Sequence, residues 1–140
     1  MIILDTYVTS ELMRARPDTV VMAWIADQPE SELFSTVVTI AEITYGLERL
    51  PRGRRRTSLE QAYQSIFLGM AAHILPFDVA AALLYGPLVA SKERAGMAMD
   101  PMDAQLACIA ASHSAMIATR NERDFADCGV RLVNPWRRGK

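Results

Sequence analysis

Residues 1–5 read MIILD, a short apolar run over Ile2–Leu4 that ends at an acid, Asp5. Its brevity and its β-branched content predict a buried β-strand. Similar runs recur along the chain between helical patterns. Strands that alternate with helices predict an α/β fold, in which a mainly parallel sheet is covered on both faces. The further strands are predicted at 33–38, 73–78, 115–119 and 130–133.

Helices fill the intervals between these strands. Thr39 is predicted to cap the helix after the second strand, because Glu42 follows it at the spacing of a capping box. Pro17 is predicted at a first helical position, and Asp78 and Asp100 are predicted helix N-caps. The predicted helices cover 9–13, 18–26, the stretch from 39 to the break at 51–53, 54–72, 79–95 and 101–113, with a turn or short helix at 121–125.

Composition bounds the class of protein. The 140 residues are 51% hydrophobic and 22% charged, which predicts one globular domain over 1–140 rather than a disordered chain. The net charge of −1 argues against a protein that binds its partners mainly through a large basic, nucleic-acid-binding surface or through an acidic tail. Cys108 and Cys128 lack the spacing of a zinc site or a disulfide framework. With no signal-peptide pattern and no apolar run of membrane-spanning length, we expect a soluble, cytoplasmic protein with no membrane association.

Acidic side chains follow the predicted strands or open the helices after them. They are Asp5, Glu42, Asp103 and Asp124, with Asn121 beside the last of them. In parallel sheets, ligands bind beyond the carboxyl ends of the strands. Clustered carboxylates repel unless a cation lies between them, and hard oxygen ligands suit Mg²⁺ or Mn²⁺. The alternative is helix capping, since Glu42, Asp103 and Asp124 each stand at capping-box spacing.

Other phosphate chemistry has weaker support. The glycine loops that cradle phosphates and the nucleophile elbow of serine hydrolases are missing from the sequence. Arginines at 52 and 54–56 form a run that either is solvated or grips a phosphate backbone, with Arg54 and Arg55 as candidates. Arg120, directly after the fourth predicted strand, is the stronger candidate for a contact with phosphate.

Five blocks occur in the order in which a known family has them: MIILDTYV, VTIAEITYGLERLPRGRRR, ILPFD, DAQLACIA and ATRNERDF…VNPW. They resemble the PIN-domain nucleases, and more closely the VapC-type toxins of bacterial toxin–antitoxin pairs. The resemblance implies a three-layer α/β/α sandwich with a four- to five-stranded parallel sheet. It also implies an endoribonuclease that depends on Mg²⁺, or on Mn²⁺, and a cognate antitoxin protein that blocks its site.

The same resemblance implies roles for individual residues. Asp5, Glu42 and Asp103 match the family's catalytic acids, and Asp5 and Asp103 are the expected metal ligands. Four further residues are expected to support them: Thr6, Thr119, Asn121 and Asp124. A homodimer is expected as well, and the apolar residues Tyr63, Ile66, Phe67 and Met70 of the long helix are an example of a stripe left for a partner.

Two positions depart from the family pattern. Asn121 stands where a fourth acid is common, and Tyr7 stands where a small polar residue is usual. We expect Tyr7 to line the site and to weaken turnover; the alternatives are that its ring packs outside or stacks on a base. A binding module that has lost catalysis is therefore one alternative function. A haloacid-dehalogenase-like phosphatase is another, although it needs a second acid at position 7 and a lysine at a strand end, whereas the chain has only Lys92 and Lys140.

Overall fold

The computed structural model describes residues 1–137 and contains a fully parallel five-stranded sheet with strand order β3-β2-β1-β4-β5. The strands are β1 (Ile2–Leu4), β2 (Leu33–Thr36), β3 (Ile74–Leu75), β4 (Met116–Ala118) and β5 (Leu132–Val133). Six helices flank the sheet: α1 (Thr6–Met13), α2 (Thr19–Ala26), α3 (Val37–Arg49), α4 (Arg54–Gly69), α5 (Val79–Arg94) and α6 (Pro101–Ser112). The predicted α/β sandwich is confirmed. Residues 138–140, and with them Lys140, lie outside the described residues.

Alternate residues of the central strands face two different helix layers. Ile3 of β1 pairs in register with Ile117 of β4, and both are buried in a core that includes α6. Leu4 and Ala118, the next pair, belong to a second core beside α1 and α2. Successive side chains of a strand point to opposite faces of the sheet, so alternate residues enter different cores. Because both faces are covered, the strand sequences are apolar throughout.

Two helix starts differ from the sequence predictions. Helix α1 begins at Thr6 rather than Thr9, because Asp5 caps it directly after β1. Strand β2 ends at Thr36, so residues 37 and 38 are helical and Thr39 does not cap α3. The Thr36 hydroxyl caps instead, accepting a hydrogen bond from the Thr39 N–H at 3.2 Å. The predicted capping box at Thr39 is therefore wrong.

Smaller differences have local causes. Pro17 lies before α2 rather than in its first turn, because Asp18 is the cap and accepts from the N–H groups of Val20 and Val21. Helix α4 ends at Gly69, and a 3₁₀ turn over Ala71–His73 leads into a strand of only two residues. The predicted caps Asp78 and Asp100 are confirmed.

The apolar stripe of α4 is used inside the chain. Phe67 is 7% exposed, and Tyr63 and Ile66 pack beside it against α1 and α3 residues. Met70 packs against the core that contains Leu4. The expectation that these four side chains form a free patch is wrong, because the α4 layer needs them to cover its own core. Cys108 and Cys128 are free, as predicted. None of the helices in the described part of the chain is long and apolar enough to cross a membrane.

Candidate active site

Asp5 lies at the carboxyl end of the central strand and is 2% exposed. Its backbone N–H continues the ladder to the Ala118 carbonyl at 3.1 Å. One carboxylate oxygen, Oδ1, accepts the N–H of Val8 at 2.9 Å and so caps α1. The Thr9 hydroxyl donates to the Asp5 carbonyl at 3.0 Å. The strand end and the helix start thus hold this carboxylate in one position.

The environment of Asp5 disfavours its charge. Burial is the main cause that raises its pKa from 3.8 to about 6, and the negative charge of Glu42 adds to the shift. Hydrogen bonds from the Thr119 hydroxyl and from the N–H groups of Val8 and Tyr7 act in the opposite direction. A buried carboxylate with a like charge nearby is a strong position for a cation, because the cation relieves both penalties.

Glu42 points to the same place from the second turn of α3. Its Oε1 accepts a hydrogen bond from the Thr6 hydroxyl at 2.8 Å. Thr6 directly follows Asp5, so this bond ties Glu42 to the start of α1. Because Thr36 caps α3, the carboxylate of Glu42 is not needed at the helix N-terminus. Thr6 therefore holds the carboxylate of Glu42 beside the start of α1.

Asp103 stands in the first turn of α6 and is partly buried. Asp100 takes the cap, since its Oδ1 accepts the N–H groups of Met102 and Asp103 at 2.9 and 3.3 Å. The pKa of Asp103 is raised from 3.8 to about 7, mainly by burial and then by the negative charges of Asp100, Asp124, Glu42 and Asp5, in that order. Asp5, Glu42, Asp103 and Asp124 thus act on one another although they come from distant parts of the chain.

The segment after β4 completes this end of the sheet. Thr119, fully buried, accepts the backbone N–H of Asn121 at 3.0 Å and hydrogen-bonds the Asp5 carboxylate. Asn121 enters this network through its backbone. Asp124, in the 3₁₀ turn Glu122–Phe125, lines the cleft beside Asp103. Thr119 and Asp124 are therefore brought to the acids, and the side chain of Asn121 is not among those that line the cleft.

An open cleft of about 590 Å³, here called the acid cleft, is lined by Glu42, Asp103 and Asp124, whereas Asp5 is buried and does not line it. Its walls include Tyr7, Glu42, Lys92, Asp103 and Asp124. Lys92 is 7% exposed, and its Nζ donates to the carbonyl of Ala126, just after the turn that bears Asp124. Sequence reasoning placed Lys92 only inside a helix, and no local pattern marks it as a cleft residue.

A second depression, here called the arginine groove, adjoins the cleft. It shares Tyr7 and Glu42 with the cleft and is also lined by Arg55 and Arg120. The Arg120 guanidinium lies 5.1 Å from the centre of the Trp136 ring. Arg54, although adjacent in sequence to Arg55, does not line the groove. The structure thus brings two of the three predicted phosphate contacts to the site.

The donors suit a hard divalent cation, because they are carboxylates and hydroxyls without imidazole or thiolate. The pKa values of Asp5 and Asp103 are raised mainly by burial and further by the neighbouring acids, and a bound cation would offset both effects. As the side chains stand, no three acid, histidine or cysteine side chains among residues 1–137 are placed to share one metal ion. The chemistry of the donor set fits the ion, and the side chains must draw closer to enclose it.

Comparison with known proteins gives consistent matches. The PIN domain family matches residues 2–130. A curated relative named VapC ribonuclease Y4jK, from Sinorhizobium fredii, is 38% identical over 97% of this chain and 98% of its own length. Toxin FitB of Neisseria gonorrhoeae is 34% identical over 97% of this chain and 99% of its own. A solved structure titled "Structure of FitAB bound to IR36 DNA fragment" matches with a TM-score of 0.90 and 33% identity, covering 100% of this chain and 99% of that one.

Proposed function

Because the chain belongs to the PIN-domain family and, within it, to the VapC-type toxins, we propose that it is a metal-dependent endoribonuclease. The observation that carries the proposal is the acid cleft, where burial and mutual repulsion raise the pKa of Asp5 to about 6 and that of Asp103 to about 7. Carboxylates whose pKa values are raised by burial and by one another are typical of sites that bind a cation.

Asp5 and Asp103 are the proposed ligands of Mg²⁺, with Mn²⁺ as the alternative. Asp5 caps α1 with Oδ1 and also accepts a hydrogen bond from Thr119, and a carboxylate with about four lone-pair sites can keep these bonds while it coordinates an ion. Held by Asp5 and Asp103, a divalent ion would supply positive charge for the scissile phosphate and would lower the pKa of a water molecule bound to it. Glu42, oriented by Thr6, positions the ion or that water, and Thr119 keeps the Asp5 carboxylate in place.

The arginine groove is the proposed path of the RNA strand. Arg55 and Arg120 line it next to Glu42, so a backbone that lies there brings a phosphate to the edge of the acids. Phosphate contacts of this kind position a strand without reading its sequence. The stacking of Arg120 on Trp136 restricts the guanidinium and so lowers the entropy lost when it contacts a phosphate.

A cognate antitoxin and a second copy of the chain are the proposed protein partners, in the cytoplasm. The structure named above is of FitAB bound to DNA, and its matched chain has the same fold along its whole length. The repelling acids of this chain suit a basic side chain from an antitoxin, since a guanidinium neutralises carboxylates as the metal does. Exposed apolar side chains on α5, Val79 at 75% and Leu83 at 72%, support a further protein contact.

The test is cleavage of total cellular RNA by the purified chain, with Mg²⁺, with Mn²⁺ and with EDTA, followed by mapping of the ends. Cleavage should require the ion and should be abolished by Asp5→Asn and by Asp103→Asn. Asparagine is also a good N-cap, so Asp5→Asn retains the start of α1.

Asp100→Asn is the matched control. Asp100 lies at the same cleft but is occupied in capping α6, and asparagine preserves that cap. This variant should keep its activity within a few fold. Cleavage that survives EDTA, or that survives both ligand substitutions, contradicts the proposal. A chain that binds the ion and RNA but cuts nothing is instead a PIN-fold binding module.

A further inference from the structure

Tyr7 occupies the ridge between the acid cleft and the arginine groove, and its side chain lines both. It is 54% exposed, although the residues around it, Asp5 and Val8, are buried. Within residues 1–137 no aromatic ring or cation stacks on the Tyr7 ring, and its hydroxyl has no hydrogen-bond partner. A large aromatic face is therefore open to solvent beside the reacting groups.

Two other aromatic rings each have an arginine stacked on them. Arg49 lies over Tyr45, 5.6 Å from the ring centre, and Arg120 lies over Trp136 at 5.1 Å. Tyr7 has no such cover, and it does not pack outside against a neighbouring helix. The expectation that its ring lines the site is supported, and the alternative in which it packs away is not.

The backbone of Tyr7 is held on both sides by the acid network. Asp5, two residues earlier, caps α1 through the Val8 N–H, and Thr6 donates to Glu42 at 2.8 Å. The first turn of α1 therefore holds the backbone of Tyr7 beside the acids, and only the two side-chain torsions of the ring are left free. Rigid aromatic side chains of this kind give contact area with little loss of conformational entropy.

We propose that Tyr7 is a stacking platform for one unpaired base of the RNA, at a nucleotide next to the phosphate that enters the acid cleft. The inference rests on the proposed ribonuclease function and goes beyond it by assigning a base-binding subsite. Proteins that bind single-stranded nucleic acid combine a cationic groove with aromatic rings on which bases stack. Here the cations of the groove, the open ring and the acids follow one another in that order.

This arrangement favours single strands over duplexes. A base inside a duplex is already stacked and paired, so its face is not available to Tyr7. A strand that runs from Arg55 and Arg120 toward Asp103 passes over the ring, and one base can settle there while its phosphate approaches the acids. Tyr7 then contributes to RNA affinity, and its replacement loosens binding rather than relieving an obstruction.

Binding is measured in the Asp103→Asn background, which prevents cleavage, with single-stranded oligoribonucleotides that carry 2-aminopurine at successive positions. Stacking on the ring should quench the fluorescence at one position. Tyr7→Leu should abolish this quenching and weaken binding by about 5- to 100-fold, the range for loss of one base–aromatic stack. Tyr7→Phe should restore both. Tyr45→Leu, which removes an exposed tyrosine outside both depressions, should change neither.

A second measurement pairs the variant with the RNA. An abasic nucleotide at the quenched position should weaken binding to the tyrosine form and have no further effect on Tyr7→Leu, which isolates their coupling. If RNA binds equally well to Tyr7→Leu, or if Tyr7→Leu weakens only the complex with an antitoxin, the stacking proposal is overturned. In those cases metal-dependent cleavage by the unmodified chain remains, so the failure is distinct from failure of the proposed function.

Discussion

Asp103→Asn should stabilise the fold above pH 7 and leave it nearly unchanged at pH 4. The pKa of Asp103 is raised from 3.8 to about 7 in the folded chain, so the fold retains its proton over a range in which the unfolded chain has lost it. Where the folded state binds more protons, the free energy of unfolding falls as pH rises. The loss therefore begins above about pH 4 and is complete above about pH 7.

The size of the effect follows from the shift. A displacement of about three units corresponds to ~4 kcal/mol between the two protonation states. Asp103 is only partly buried, and screening by solvent reduces this to about 2 kcal/mol of stability. For a domain of this length that is a rise in Tm of roughly 6 °C for Asp103→Asn at pH 8.

Urea unfolding, followed by far-ultraviolet circular dichroism at pH 4, 6 and 8 in EDTA, measures the difference. Asp27→Asn, the same change at an exposed acid at the end of α2, is the control and should change the free energy of unfolding only slightly. Excess Mg²⁺ at pH 8 should stabilise the unmodified chain more than Asp103→Asn, because the ion stabilises whichever form binds it. A gain equal at all three pH values, or a loss at pH 8, refutes the argument that burial and the neighbouring acids raise the pKa of Asp103.

Three further changes test the network around the cleft. Thr6→Val removes the hydrogen bond that orients Glu42 and should lower kcat by about 10-fold, which corresponds to ~1.4 kcal/mol of transition-state stabilisation. Thr36→Ala removes the cap of α3 and should lower the free energy of unfolding by about 1 kcal/mol in urea titrations, with Thr39 left unpaired at its N–H. Arg55→Ala should weaken RNA binding and reduce the slope of log K against log salt by about 0.7, whereas Arg54→Ala should leave both unchanged.

The sequence was sufficient to predict the sheet and most of its helices. The apolar runs that contain Ile3 and Ile117 are buried on both faces. Uninterrupted apolar runs of this kind therefore predict the strands of a parallel sheet. The boundary after β2 was missed because Thr36 and Thr39 are equally good caps in sequence. The register decides between them: Thr36 still pairs with Leu75 of β3, so the helix starts only after it.

Contacts between distant segments were harder to predict. Lys92 reaches the turn that bears Asp124 only because α5 packs along α6, and a lysine in an otherwise apolar helix has the appearance of a surface residue. The separation of Arg55 from Arg54 depends on the rotation of α4 about its axis, which a run of like residues does not reveal. The stripe around Phe67 was assigned to a partner for a related reason, since its burial depends on how α1 and α3 pack against α4.

The division between capping and catalysis explains why the acids looked ambiguous in sequence. At two of the helices that open at the cleft, another side chain caps the free N–H groups, so the acid is not needed for that purpose. At α3 the cap is Thr36 and at α6 it is Asp100, which leaves the carboxylates of Glu42 and Asp103 directed to the cleft. At α1 Asp5 has both duties, because a carboxylate has about four lone-pair sites and can accept the Val8 N–H through Oδ1 while it binds an ion. Asparagine at position 5 keeps the first duty and loses the charge that the second requires, so loss of metal binding by Asp5→Asn without loss of the fold is the result that separates the two roles.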